Sequence, residues 1–165
     1  MVDVPSGRFV VFEGIDGSGK TTQARLAADL LRASGRVVVE TREPGGTVLG
    51  ERLREVLLDS ATGVLAGPAE VALFAAARAQ LVAEVIAPAR ARGDWVVCDR
   101  FLASSLAYQG VGRGLGMRAV RDANALAVDG CTPDLTIVVD VPPDMNRNRA
   151  VSRRLKIVAW VRITR

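Results

Sequence analysis

The chain has 165 residues, 49% of them hydrophobic, with two cysteines, no histidine and a formal net charge of +4. That length fits one domain burying roughly 68–70% of the surface its unfolded form exposes, and the missing histidine excludes a Ser-His-Asp triad, a Cys-His pair and any His-ligated metal. Cys98 and Cys131 suit neither a zinc spacing nor a disulfide framework, so a reduced, cytoplasmic protein is expected.

In chain order, MVDVPSGR (1–8) lacks a charged-then-apolar leader. RFVVFE (8–13) is the first of four short β-branched runs; the others are RVVVET (36–41), DWVVCD (94–99) and LTIVVDV (135–141). Continuous rather than alternating hydrophobicity predicts strands covered on both faces. Between them lie helical patterns: TTQARLAADLLRAS (21–34) closed by Gly35, VLGERLREVLLD (48–59), and PAEVALFAAARAQLVAEVIAPARAR (68–92), which Pro88 should kink or end. No apolar run approaches the ~18–20 residues of a membrane span. Strands alternating with helices predict a parallel sheet with right-handed crossovers in a three-layer α/β fold, its ligands gathered at the carboxyl ends of the strands. No repeat, linker or low-complexity tract divides the chain.

Charge is placed unevenly. Residues 141–165 carry seven Lys/Arg against one acid, while residues 1–140 are net −2. The body is therefore not basic, and the tail reads as a solvated segment; a nucleic-acid partner is not expected. Of the 22 basic residues only Lys20 and Lys156 are lysine. A surface cation can be arginine, whereas a site needing a compact point charge cannot, which singles out Lys20.

Lys20 stands in Gly14-Ile15-Asp16-Gly17-Ser18-Gly19-Lys20-Thr21, a match to G-x-x-x-x-G-K-[ST] placed between a strand and a helix. The glycines let successive backbone N–H groups turn inward at the positive end of the helix, forming an anion nest. Lys20 then reaches the β- and γ-phosphates, and the Thr21 hydroxyl ligates magnesium, with Thr22 beside it. A GTPase would also need Asn-Lys-x-Asp, and no lysine is left to supply it, so a small-molecule kinase is the leading class. Two further stretches follow strands: Thr41-Arg42-Glu43-Pro44-Gly45-Gly46-Thr47, and Asp99-Arg100-Phe101 running on to Gly110. The second sets a carboxylate for magnesium or a proton beside a guanidinium for a phosphate.

Together FEGIDGSGKTTQ, TREPGGT, LFAAARAQ and DRFLASSLAYQG resemble the bacterial thymidylate (dTMP) kinases over residues 8–143. The resemblance implies a P-loop NTPase fold, transfer of the ATP γ-phosphoryl to dTMP with Mg2+, and a homodimer packed through helices. By position it implies catalytic Lys20, Asp99 and Arg100, with Thr21 and Asp99 at the metal. Asp16 would hold the deoxyribose 3′-hydroxyl, Arg42 and Arg100 the dTMP phosphate. Phe74 would stack on thymine, and Arg78, four residues on, would bond its exocyclic oxygen. Tyr108 would crowd the sugar where a ribonucleotide carries its 2′-hydroxyl, with Gln109 nearby and Ser105 on the base side.

Two departures from the family stand out. Where one branch places a loop arginine, this chain has Gly17, which shifts that cation to a lid after the fourth strand. Beyond Val141-Pro142-Pro143 the chain reads DMNRNRAVSRRLKIVAWVRITR, unlike the arginine-bearing helix and lid of the family. Arg147, Arg149, Arg153 and Arg154 could replace lid arginines, with 155–161 a fifth strand after a crossover; the favoured alternative is unrelated sequence. Two other readings of function stay open: a nucleotide-binding protein without turnover, and a kinase of another nucleoside monophosphate.

Overall fold

A computed structural model describes residues 7–141 and the backbone of Lys156–Val161. Four parallel strands, β1 (Phe9–Glu13), β2 (Val38–Arg42), β3 (Trp95–Asp99) and β4 (Leu135–Asp140), form the sheet in the order β2-β3-β1-β4. β5 (Lys156–Val161) adds to the β4 edge. It runs antiparallel, pairing Leu135 with Val161 and Asp140 with Lys156; a strand does form within 155–161, the less favoured of the two sequence alternatives, but without the crossover that alternative carried. An antiparallel neighbour needs only a reversal of direction, whereas a parallel one needs a passage over the sheet face. The four candidate lid arginines lie outside the described residues.

Alternation along β1 divides the core into the expected layers. Phe9 and Val11 face one side with Val96 and Cys98; Val10 and Phe12 face the other with Val97 and Val139. Ala24 and Ala28 of α1 (Lys20–Ala33) cover the second face, small side chains that bring the helix close to the sheet. α1 ends at Gly35, whose φ of +83° is the left-handed conformation a helix terminus favours in glycine.

On the opposite face, α2 (Val48–Leu58) precedes a continuous helical run. This comprises α3 (Gly67–Leu81), a π-helical turn (Val82–Ile86) and α4 (Ala87–Ala91). Pro88 neither ends this run nor stands alone in it: the wider turn lies directly before it, where the proline ring and its missing N–H break the ordinary ladder. The run Gly67–Ala91 is long and apolar enough to cross a membrane by length and composition. Its Leu81, Val82, Ile86 and Ala89 are instead packed into the sheet core. After β3 come α5 (Leu102–Ser105), a π-helical stretch (Leu106–Gly112), α6 (Met117–Ala123) and α7 (Ala125–Val128), which return the chain to β4.

This order sets β1 between β3 and β4. The segments leaving the carboxyl ends of β1, β2 and β3 therefore share one rim of the sheet.

Candidate active site

The loop between β1 and α1 is the first element on that rim. Gly19 caps α1 at φ +88°. At Gly14, φ +149°, a Cβ would sit 2.6 Å from the Val139 carbonyl oxygen and 2.8 Å from Ser18 Oγ, so only glycine fits. Lys20 is buried, and its Nζ donates to the Ile15 carbonyl and to Asp16 Oδ1, both at 3.3 Å. The buried Ser18 hydroxyl has no hydrogen-bond partner among the described residues. Ile15, Asp16, Gly17, Thr21 and Thr22 are open to solvent. The Thr21 hydroxyl donates to Asp99 Oδ2 across the β3 end. The other oxygen, Asp99 Oδ1, is buried and has no hydrogen-bond partner among the described residues.

Asp16 ties the loop to a second element. Its Oδ1 accepts from Arg100 Nη2 at 2.6 Å as well as from Lys20. Desolvation raises the Asp16 carboxyl, but the bonds and charges of Arg100 and Lys20 outweigh it and hold the group below its ordinary value. Arg100 reaches this position because its backbone is left-handed, φ +72°, a conformation costing roughly 1–2 kcal/mol in a non-glycine residue. Its Nη1 donates to Ser104 Oγ at 2.9 Å, and the guanidinium lies 5.4 Å from the Tyr108 ring centroid. Buried Glu13 braces the turn by accepting from the N–H groups of Phe101 and Ser104 and from Ser104 Oγ. Burial pushes its carboxyl up, against those hydrogen bonds and the Arg100 charge.

A cleft of about 540 Å³ opens beside Asp16 and Arg100, floored by Arg78 and bordered by Phe74, Ser105, Tyr108 and Gln109. Arg78 is buried to 1% exposure. Its Nε and Nη2 donate to Glu43, Nη2 also to Ser105 Oγ at 3.1 Å, and Nη1 to Asn124 Oδ1. The guanidinium stands 5.3 Å from the Phe101 ring centroid. Burial lifts Glu43 to about 7 against the pull of Arg78, with the nearby Glu13 charge adding to the rise. Phe74 is half-buried at the cleft wall, and Tyr108 is 45% exposed.

The structure thus brings Asp16, Phe74, Arg78, Arg100, Ser105, Tyr108 and Gln109 to one cleft. Arg42 does not line it. Its Nη2 donates to Glu51 at 2.8 Å, and it borders a neighbouring cleft of about 460 Å³ with Thr21 and Asp99. Glu43, Arg54, Glu70 and Asn124 escaped the sequence reading. Glu43 lay inside the TREPGGT stretch, but nothing local marked it as the partner of a residue 35 positions away.

The family model for thymidylate kinase matches residues 12–159. The chain belongs to the thymidylate kinase family. Thymidylate kinase of Desulforudis audaxviator (strain MP104C) is 56% identical over 138 residues, covering 83% of this chain and 62% of that protein. Thymidylate kinase of Pelotomaculum thermopropionicum is 55% identical over 134 residues, covering 81% and 62%. The chain therefore spans under two thirds of the length of these curated relatives. A crystal structure of thymidylate kinase from Ehrlichia chaffeensis matches with a TM-score of 0.78 at 40% identity, covering 88% of this chain and 82% of that one. The family match runs past Pro143 and takes in part of the segment whose sequence departs from the family pattern.

Proposed function

We propose that this chain is a cytoplasmic dTMP kinase, transferring the γ-phosphoryl of ATP to dTMP to give dTDP and ADP in dTTP biosynthesis, and acting as a homodimer. The observation that carries the reading is Asp16. It belongs to the phosphate loop, lies beside Lys20, and at the same time borders the Arg78 cleft and holds Arg100. Donor and acceptor sites therefore meet at one carboxylate.

The backbone N–H groups of Gly14–Thr21 and the Lys20 ammonium hold the ATP phosphates, with Thr22 at the mouth of the loop. Thr21 and Asp99 would hold Mg2+. They fit it: a buried carboxylate oxygen with no partner among the described residues stands beside a hydroxyl. The described residues hold no cluster of three metal-ligating side chains, as suits an ion bound mostly through nucleotide phosphates and water. Held there, the ion would supply positive charge to offset the negative charge that grows on the phosphates during transfer.

On the acceptor side Arg78 donates to the base carbonyl, Phe74 stacks on the ring, Ser105 and Gln109 line the base edge, and Tyr108 packs against the sugar. Asp16 accepts from the 3′-hydroxyl. Arg100 and Arg42 grip the dTMP phosphate; the Arg42 pair with Glu51 is exposed and so costs little to exchange for a ligand. An oxygen of that phosphate attacks the γ-phosphorus in line, and the bond to the bridging oxygen breaks as ADP leaves.

The test is ADP release by the purified full chain with ATP and Mg2+, comparing dTMP, dUMP, UMP and AMP side by side. Selective turnover of dTMP supports the reading. Preference for AMP overturns the acceptor assignment, and calorimetric binding of ATP and dTMP without dTDP makes the chain a nucleotide-binding protein without turnover.

A further inference from the structure

Behind Gln109 the cleft wall contains two polar residues, Glu70 and Arg113, that the assignments above leave unused. Gln109 is buried to 3% exposure, and its Nε2 donates to Glu70 Oε1 at 2.6 Å. The other Glu70 oxygen, Oε2, accepts from Arg113 Nη2 at 2.6 Å. All three residues line the cleft.

A primary amide has two ends of nearly equal shape, one donating and one accepting, so its neighbour decides which end a ligand meets. Glu70 offers only acceptor oxygens to Gln109, and Arg113 anchors the far side of the same carboxylate. Turning the amide over would set oxygen against oxygen in a buried place, losing a hydrogen bond and adding repulsion. The Gln109 carbonyl is therefore the end left for the cleft.

Arg78 supplies the complementary group. Of its five N–H bonds, those on Nε and Nη2 are committed to Glu43 and Ser105, and one on Nη1 to Asn124, leaving a single Nη1 donor among the described residues. Arg78 bonds Ser105, and Ser105 lies four residues before Gln109 on one helical segment, so donor and acceptor stand on adjacent parts of the wall. A pyrimidine with a C4 carbonyl and an N3–H meets both groups correctly. One with a C4 amino group and a bare N3 opposes both.

Building on the proposed dTMP site, we infer that Glu70, anchored by Arg113, is a positioning residue that fixes the Gln109 amide and so sets selection of keto over amino pyrimidines. Glu70 itself need not touch the nucleotide.

The experiment compares dTMP with 5-methyl-dCMP, which keeps the methyl group and size and changes only the C4 and N3 positions. Calorimetric Kd values are measured for both ligands, and for ATP, on the full chain and on Glu70→Gln. The unsubstituted chain should favour dTMP by about a hundredfold or more, because a mismatched edge leaves buried polar groups unpaired. In Glu70→Gln that ratio should fall by about tenfold or more, since a glutamine at 70 accepts either amide orientation. The ATP Kd should stay unchanged, a split that general loosening of the fold would not produce. An undiminished ratio in Glu70→Gln overturns the inference while leaving the dTMP reading intact. Absence of preference in the unsubstituted chain overturns the dTMP reading and this inference with it. Should Glu70→Gln not fold, Glu70→Asp, which withdraws the carboxylate by one methylene, decides between the same outcomes.

Discussion

Arg78 and Glu43 form a two-point ion pair with side-chain exposures of only 1% and 4%, its three N···O contacts lying between 2.6 and 3.1 Å. It joins the end of β2 to the last turn of α3, and α3 carries Phe74 on the same cleft. Burying both charges is costly unless they are well hydrogen-bonded, and Ser105 and Asn124 add to the guanidinium's partners, leaving one Nη1 donor among the described residues.

Burial of Glu43, which outweighs the pull of Arg78, makes stability depend on pH. With Glu43 at about 7 in the folded chain against an ordinary 4.5, the fold retains a proton between those values that the unfolded chain has released. Stability from this group is complete below the ordinary value and is lost as pH rises through 7. Glu43→Gln fixes the neutral form. Denaturant unfolding at pH 5 and pH 8 should show the unsubstituted chain losing about 2–3 kcal/mol relative to Glu43→Gln over that interval. The absence of histidine keeps the window free of its titration, and a constant difference between the two proteins would contradict the assignment.

Asn124 is wholly buried at the junction of α6 and α7, donating to the Val120 carbonyl and accepting from Arg78. Asn124→Ala removes both bonds and leaves a buried charge short of a partner. Urea unfolding should register a loss of about 2–3 kcal/mol. A change under about half a kcal/mol would mean that Arg78 is held without it.

Asp99 carries a buried oxygen with no partner among the described residues, next to the Thr21 hydroxyl. If that oxygen serves a divalent ion, Asp99→Asn should weaken ATP binding by about tenfold or more in Mg2+, since a charged ligand to the ion is lost. In excess EDTA the same substitution should change the ATP Kd little. Equal weakening in both conditions would place Asp99 in direct contact with the nucleotide instead.

Lys20 is the loop's ammonium group, already turned back onto Ile15 and Asp16. On the proposed mechanism, Lys20→Ala would remove a cation from phosphates whose charge grows in the transition state. Turnover at saturating dTMP should drop about 10²–10³-fold. Retention of full turnover would remove the loop from the mechanism.

Parts of this architecture were legible in the sequence because they rest on local rules. β-branched runs located the four parallel strands, and the glycine spacing before Lys20 placed the phosphate loop. Gly35 marked the end of α1. Other parts arise between distant residues. Glu43, Glu70 and Asn124 look like ordinary polar residues until the fold sets them against Arg78 and Gln109, 35, 39 and 46 positions away. The place of Arg42 at a strand end does not say to which side its long side chain leans, and Glu51 draws it toward Thr21 and Asp99. The direction of β5 was equally unreadable, because strand propensity carries no sign.

Transfer of label from γ-32P-ATP to dTMP, resolved as dTDP by chromatography, tests the central claim most directly: that the phosphate loop and the Arg78 cleft serve one reaction through Asp16. The account predicts labelled dTDP from the full chain in Mg2+ and its near-complete loss in Lys20→Ala. Labelled dTDP that persists unchanged in Lys20→Ala, or none from the unsubstituted chain with both nucleotides bound, would contradict it.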